Sequence, residues 1–198
     1  MFFTLKQFAL DHPDVKNPAA YLHYEAKVGR ILRLKRDLYT DNPDENPLLI
    51  ASVLHRPSYV SFQYALSFYG LIPERVYEIT MASTNLRKAI VYSNQRWRCS
   101  YRDVPVEAYP WGLFSDEMGF LMATPEKALC DLLHVYPSVR SVKDLCDLLF
   151  EDLRIDEEAF ENMNKGDLLF LCSRYPGDTF RVLRTLILKR KINESDLI

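Results

Sequence analysis

One segment of the sequence, from Asn17 to Tyr39, constrains the fold more than any other. Asn17 followed by Pro18 is typical of a helix N-cap and first helical position, and Gly29 is the residue type that most often ends a helix. The spacing therefore predicts a helix from Pro18 to about residue 28. After it, apolar residues alternate with basic ones around Lys35-Arg36-Asp37, which predicts a short β-hairpin with a basic tip.

A shorter helix precedes this segment. Thr4 is a good N-cap with an apolar stripe behind it, so we expect a helix through Leu10. Two helices followed by a basic hairpin are the element order of a winged helix-turn-helix. The polar, proline-bearing segment 41–47 is the best linker in the chain. We therefore predict a winged-helix DNA-binding domain over residues 1–42 and a second domain over residues 43–198.

The predicted second helix has two unlike faces. At about 100° per residue, Ala19, Leu22 and Ala26 share an apolar face that suits packing. The opposite face carries side chains that can form hydrogen bonds with base edges, and the hairpin carries cations that suit phosphates or the minor groove. We predict that DNA is contacted by Lys16, Ala20, His23, Tyr24, Lys27, Arg30, Arg33, Lys35 and Arg36.

The charge of the chain is unevenly distributed. The net charge is −2, but residues 1–40 hold seven basic and four acidic residues, whereas residues 141–165 hold three basic and eight acidic ones. A basic amino-terminal region favours contact with a polyanion such as DNA. Two alternatives remain open: the basic hairpin docks on the rest of the chain, for instance through the acidic segment, or the acidic segment binds a basic partner protein.

The sequence after residue 43 predicts a mixed α+β domain with a helical carboxyl-terminal part. Ser58 is expected to cap a helix that runs to Tyr69 and ends at Gly70. β-Branched and aromatic residues then predict strands, and capping residues predict helices further on. The expected elements are strands over 76–80, 88–92 and 97–101, a hairpin within 109–123, and helices from Thr124 onward.

Sequence patterns typical of enzymes, metal sites and membrane spans are absent. There is no glycine-rich phosphate loop, no G-x-S-x-G and no H-E-x-x-H, and the four cysteines lack the paired spacing of a zinc site. We therefore expect no enzyme activity, no cofactor and no metal. An enzyme of another type would require His55 or His134 beside a carboxylate in a pocket. With no long apolar run and no signal peptide, we expect a cytoplasmic protein.

Three stretches resemble motifs of one known family. Residues 29–39 resemble the wing motif G-x-I-x-R-L-x-R-G-x-Y of the AbiEi-type antitoxin and transcriptional-regulator family. Residues 57–73 resemble its core motif P-S-Y-x-S-x-x-S-A-L-x-x-x-G-L-I-P, and residues 123–133 are similar to its A-T-x-E-K-A-L-x-D-L motif. One difference is Asp37, which stands where the family usually has glycine at the wing turn.

The resemblance implies a fold and a function. It implies an amino-terminal winged helix that binds operator DNA, followed by a larger α+β domain. It also implies an antitoxin of a type IV toxin-antitoxin operon, which represses its own operon and counteracts a nucleotidyltransferase-like toxin. Within the third motif, Glu126, Lys127 and Asp131 would form either an exposed patch or an internal polar network. Self-association is left open, and the alternative function is a module that binds a partner protein without binding DNA.

Overall fold

The computed structural model describes residues 1–195, with side chains through Arg190, and the chain divides into two compact units. The amino-terminal unit spans Met1–Leu54 and the carboxyl-terminal unit spans His55–Ile198. The polar segment 41–47 therefore lies inside the first unit, because the helix that follows this segment belongs to that unit.

Three short strands and three helices form the amino-terminal unit, all of whose residues the structure describes. In chain order they are β1 (Phe2–Phe3), α1 (Leu5–Asp11), α2 (Pro18–Lys27), β2 (Leu32–Lys35), β3 (Leu38–Thr40) and α3 (Pro47–Leu54). The strands form one antiparallel sheet, in which β3 lies between β1 and β2.

The starts of α1 and α2 follow the predicted caps. The Thr4 hydroxyl accepts a hydrogen bond from the Gln7 N–H at 3.1 Å, and the Asn17 side chain accepts one from the Ala20 N–H at 3.1 Å. After α2, Gly29 adopts a φ of 78°, in the left-handed region that ends many helices. The two predicted helices and the hairpin after them are confirmed.

The apolar core of the amino-terminal unit is small. Its buried apolar side chains are Leu22 of α2, Leu34 and Tyr39 of the hairpin, and Ile50, Ala51 and Leu54 of α3. Helix α3 packs against β2, and the Lys35 Nζ donates a hydrogen bond to the Leu54 carbonyl oxygen at 2.5 Å. A cation is favoured at the carboxyl end of a helix, because the free carbonyl groups there carry partial negative charge. Helix α3 thus contributes half of these buried residues and a fixed contact to β2.

The carboxyl-terminal unit contains a six-stranded mixed sheet in the described part of the chain. Its strands are β4 (Ser58–Val60), β5 (Ile79–Ser83), β6 (Ile90–Ser93), β7 (Arg98–Asp103), β8 (Leu113–Ser115) and β9 (Leu121–Ala123). Their order in space is β6-β7-β5-β4-β9-β8. β5 is parallel to β7 and β4 is parallel to β9, while the other neighbours are antiparallel. The predicted α+β class is therefore confirmed.

One prediction for this unit is wrong. Ser58 does not cap a helix: Ser58–Val60 is a buried strand inside the sheet, and helix α4 (Phe62–Phe68) begins only after Ser61. The Ser58 hydroxyl donates instead to the His55 carbonyl oxygen at 2.6 Å. The strand pairs with β5 on one side and β9 on the other. This tertiary pairing outweighs the local capping signal.

Helices form the part of the carboxyl-terminal unit that follows the sheet. They are α5 (Pro125–Val135), α6 (Val142–Cys146), α7 (Glu157–Glu161), α8 (Lys165–Cys172) and α9 (Asp178–Ser195), and a π-helical segment, Asp147–Asp152, continues α6. Helix α5 packs against α4 and α8, and α9 packs against α6 and α8. One apolar cluster joins these helices to β4, β5 and β9. The predicted helical carboxyl-terminal part is confirmed.

Candidate nucleic-acid interface

Helix α2 presents one face to solvent. Ala20, His23, Tyr24 and Lys27 are all exposed, whereas Leu22 is 1% exposed and anchors the buried side of the helix. The four exposed positions have the i, i+3, i+4, i+7 spacing of a single helix face, so their side chains leave the helix in similar directions. A cation, an imidazole and a phenol on one face can all form hydrogen bonds with base edges or phosphates.

A groove of about 650 Å³ lies between α1, the start of α2 and the β2–β3 hairpin. Five apolar residues contribute to its lining: Leu5, Ala9, Pro18, Ala19 and Tyr39. The charged residues of the lining are Lys6, Lys16, Arg33, Arg36 and Asp37, and we call this feature the basic groove. Ala19, which was predicted to lie on the packing face of α2, is exposed and lines the groove. It stands one helical turn before His23, so the basic groove borders the exposed face of α2.

The four cations of the basic groove are exposed and lack protein partners. Within the described part of the chain, Lys6, Lys16, Arg33 and Arg36 make no side-chain hydrogen bond and no ion pair. Like charges that line one cavity repel each other and create a positive potential there. The basic groove therefore attracts anions.

Asp37 holds the turn of the hairpin against α1. Its φ of 60° lies in the left-handed region, where aspartate is less favourable than glycine. The Asp37 Oδ1 accepts a hydrogen bond from the Leu5 N–H at 2.9 Å, which satisfies the first N–H of α1. Glycine has no side chain that could form this bond. The aspartate at the position where the resembled motif has glycine thus fixes one wall of the basic groove.

Two of the cations predicted to contact DNA are engaged inside the amino-terminal unit. Arg30 forms a two-point ion pair with Glu25, with an Nε–Oε2 distance of 2.7 Å and an Nη2–Oε1 distance of 2.9 Å. Its guanidinium also lies 5.7 Å from the centre of the Tyr24 ring. Lys35 turns back onto the end of α3. A register shift between Arg33 and Lys35 in the β2–β3 pairing redirects the Lys35 side chain, which simple alternation along a strand does not predict.

The other predicted positions fall into two adjacent groups. Lys16, Arg33 and Arg36 line the basic groove, and the α2 positions form the exposed helix face described above. Lys6 also lines the groove, and the sequence reasoning missed it. Lys6 lies outside the run of cations from Lys16 to Arg36, and only the tertiary fold, which places α1 across the groove from the hairpin, brings it there. The available signal was its place on the polar side of the first helix.

A second cluster of charged residues lies inside the carboxyl-terminal unit. Lys127 and Asp131, one turn apart on α5, both have fully buried side chains and form an ion pair with an Nζ–Oδ1 distance of 3.1 Å. The Lys127 amine also donates to the Ala108 carbonyl oxygen at 2.9 Å and to the Tyr175 hydroxyl at 2.5 Å. The Asp131 carboxylate accepts hydrogen bonds from three hydroxyls, those of Tyr59, Ser61 and Tyr175. We call these residues the buried network.

The contacts of the buried network indicate a structural role. Burial, followed by the nearby charge of Asp131, raises the pKa of Tyr59 and of Tyr175 well above the usual 10, so both hydroxyls stay protonated and donate. Glu126 is also buried, and it accepts a hydrogen bond from the Asn164 N–H at 2.9 Å. The polar groups of the third motif are therefore used internally and do not form an exposed patch.

The two histidines considered for enzyme chemistry lie beside tyrosines. The His134 ring is 5.8 Å from the Tyr175 ring, and burial lowers the pKa of His134 from its usual 6.5. The His55 ring is 5.2 Å from the Tyr101 ring. Among the described residues, no group of three or more histidine, cysteine, aspartate or glutamate side chains is placed to hold a metal ion. No helix in that part of the chain has the length and apolar character needed to cross a membrane.

No protein-family model matches the chain, and no curated protein matches it either. The likeness to the AbiEi-type family therefore rests on the three motifs in residues 29–39, 57–73 and 123–133. The basic groove and the exposed face of α2 are the strongest candidate for a functional surface.

Proposed function

We propose that the chain is a DNA-binding transcriptional regulator whose amino-terminal unit is a winged helix-turn-helix. In this interpretation α2 is the recognition helix that enters the major groove, and the β2–β3 hairpin is the wing. The strand order β1-β3-β2 and the position of the hairpin directly after α2 support the proposal. Helix α3 supports it as well, because its buried residues complete the core of a unit that has only two helices before the hairpin.

The observation that carries the proposal is the meeting of two features on one surface. The exposed face of α2 offers hydrogen-bonding side chains, and the basic groove beside it offers four unpaired cations. Cations that contact phosphates release condensed counterions, which supplies most sequence-independent affinity. Hydrogen-bonding side chains in the major groove supply discrimination between sequences. A regulator needs both.

The resemblance to the AbiEi-type family extends the proposal to a biological role. In this role the protein is the antitoxin of a two-gene operon in the cytoplasm. It binds operator DNA upstream of its own gene, represses the operon and counteracts a nucleotidyltransferase-like toxin. The three motifs support the antitoxin role, whereas the basic groove supports only the DNA contact. A neighbouring gene for a nucleotidyltransferase-like protein is the expected genomic setting.

Fluorescence anisotropy with a labelled duplex from the region upstream of the gene tests the DNA contact. The full-length chain should bind this duplex. The slope of log K against log salt concentration should be about −0.9 for each phosphate contacted. Lys27→Gln should weaken binding to every duplex and reduce the slope by about 1. Lys88→Gln, the same change at an exposed lysine of the carboxyl-terminal unit, should leave both quantities unchanged.

A second variant separates sequence discrimination from phosphate contact. His23→Ala removes a hydrogen-bonding side chain from the exposed face of α2. It should reduce the preference for the upstream duplex over a scrambled duplex of equal length, since base contacts carry the discrimination. Absent or salt-insensitive binding by the unchanged full-length protein would refute the regulator proposal.

A second candidate function is a protein-interaction module. It is favoured by the exposure of the acidic segment, in which seven of the eight carboxylates are exposed: Asp144, Asp147, Glu151, Asp152, Asp156, Glu157 and Glu158. In this case a basic partner should co-purify with the full-length Lys27→Gln protein at low salt and be released at high salt.

A further inference from the structure

We infer that the basic groove holds one phosphodiester group of a DNA strand with its attached sugar, and that Lys6, Lys16, Arg33 and Arg36 act jointly on that one phosphate. This inference rests on the proposed function and adds to it a defined point of contact on the DNA backbone. It also gives a role to Lys6, which lies outside both the predicted cluster of cations and the exposed face of α2.

The size and lining of the basic groove fit a sugar-phosphate unit better than a bare ion. Its volume of about 650 Å³ falls among organic-ligand sites, which measure roughly 300–1,000 Å³. Its lining includes apolar groups from Leu5, Pro18 and Tyr39, which offer contact to the carbon atoms of a deoxyribose. A phosphate ion alone would leave these apolar groups without a partner.

The charges of the groove point to one shared anion. Cations from α1, from the residue before the α2 cap and from the hairpin line a single cavity, together with one carboxylate, Asp37. That carboxylate already accepts the Leu5 N–H, so it does not neutralise the cations by pairing with them. A phosphodiester placed in the cavity lowers the mutual repulsion of all four cations at once. The amino end of α2 adds the positive end of its dipole.

Two hydrogen bonds hold parts of the groove walls in place without a ligand. The Asp37–Leu5 hydrogen bond holds the hairpin turn to α1, and the Asn17 cap holds the start of α2. Binding therefore orders four side chains but no backbone, which keeps the entropic cost of contact small. Such a prearranged site suits a contact that sets the position of a protein on a duplex, as phosphate contacts do.

The test counts phosphates through the salt dependence of DNA binding by the full-length protein. Each phosphate neutralised on a duplex contributes about 0.9 to the slope of log K against log salt. A quadruple variant changes all four groove cations to glutamine: Lys6→Gln, Lys16→Gln, Arg33→Gln and Arg36→Gln. It should lose about 0.9 from the slope if the cations share one phosphate, and about 3.6 if each contacts its own phosphate.

A matched control removes the same charge from the other unit. In this control, glutamine replaces four exposed cations of the carboxyl-terminal unit: Arg87, Lys88, Lys143 and Lys189. Its slope should equal that of the unchanged protein. Because all replaced side chains are exposed, both quadruple variants should keep their circular dichroism spectra.

A scan of duplexes that each carry one methylphosphonate then locates the contact. Neutralising one backbone position per bound unit should weaken binding by the unchanged protein and have no effect on the groove variant. A slope loss near 3.6 would overturn the inference while leaving the regulator proposal intact. No slope loss, or a groove variant that keeps every sensitivity in the scan, would overturn the inference and leave the regulator proposal resting on the exposed face of α2 alone. Failure of the unchanged protein to bind DNA would overturn the proposed function itself, and this inference with it.

Discussion

Replacing the buried lysine of the network, Lys127→Met, should lower the free energy of unfolding of the carboxyl-terminal unit by about 3–5 kcal/mol. Methionine is unbranched and nearly as long as lysine, so it fills the space, but it leaves the fully buried Asp131 without its counter-ion. The Ala108 carbonyl oxygen also loses the shorter of its two hydrogen bonds and keeps only the one from the Trp111 N–H. The three hydroxyl groups that remain on Asp131 keep the cost within this range.

Urea denaturation followed by tryptophan fluorescence measures this loss in the correct unit, because both tryptophans, Trp97 and Trp111, belong to the carboxyl-terminal unit. If the free energy of unfolding falls by about 2 kcal/mol per molar urea, the midpoint concentration of urea should fall by about 1.5–2.5 M. Lys143→Met, the same change at an exposed lysine of α6, is the matched control. It should change the free energy of unfolding by less than about 0.5 kcal/mol.

Two further variants show whether the effect comes from the ion pair. Lys127→Met combined with Asp131→Asn removes both charges, and it should cost about 1–3 kcal/mol less than the sum of the two single changes. Tyr175→Phe removes one hydroxyl from the network and should cost about 1–3 kcal/mol, which keeps the protein measurable if the lysine variant is too unstable. Additive single effects, or a Lys127→Met midpoint equal to that of Lys143→Met, would refute the reasoning.

Gly112→Ala should lower the free energy of unfolding, measured by urea denaturation, by about 1–3 kcal/mol more than Gly70→Ala. Both residues have φ near 70°, but a Cβ at Gly112 meets a side-chain carbon at 2.8 Å, whereas one at Gly70 meets nothing within 4 Å. Equal costs would contradict this. Asp37→Ala should destabilise the α1 and hairpin amides in hydrogen exchange by about 1 kcal/mol more than Asp37→Gly, because both lose the bond to Leu5 but only alanine keeps the left-handed strain. The reverse order would show that strain is unimportant there. Because burial lowers the pKa of His134, stability should be complete above its usual 6.5 and decrease as the pH falls through that value towards the lower folded pKa. His134→Gln should therefore flatten the dependence of the urea midpoint between about pH 7 and pH 5.5, and an unchanged dependence would exclude His134 as its source.

The amino-terminal unit could be predicted well because short-range signals mark its elements. Thr4 and Asn17-Pro18 mark the helix starts, and Gly29 marks an end, each through contacts with residues only a few positions away. Helical periodicity, which is also a short-range property, predicts that Leu22 is buried while Ala20, His23, Tyr24 and Lys27 are exposed.

Tertiary effects explain what the sequence did not predict. Ser58 lies in an internal strand because β5 and β9 pair with that strand, and Lys35 turns inward because the pairing of β2 with β3 shifts in register. Lys6 reaches the basic groove only because the fold places α1 across the groove from the hairpin. The bounds of the strands differ from the prediction for the same reason: the strand predicted over 76–80 is β5 at Ile79–Ser83. None of these relations is encoded within a few neighbouring residues.

The buried network gives the synthesis of this protein an order of events. Asp131 accepts hydrogen bonds from the hydroxyls of Tyr59 and Ser61, which lie 72 and 70 residues earlier in the chain, and from that of Tyr175, 44 residues later. On the ribosome, the lysine and carboxylate of α5 therefore stay open to water until Tyr175 has emerged. The buried network is complete only once Tyr175 is available, so a nascent chain that stalls before α8 leaves a half-satisfied charge pair in the carboxyl-terminal unit. Such truncated products should be rapidly cleared by proteases.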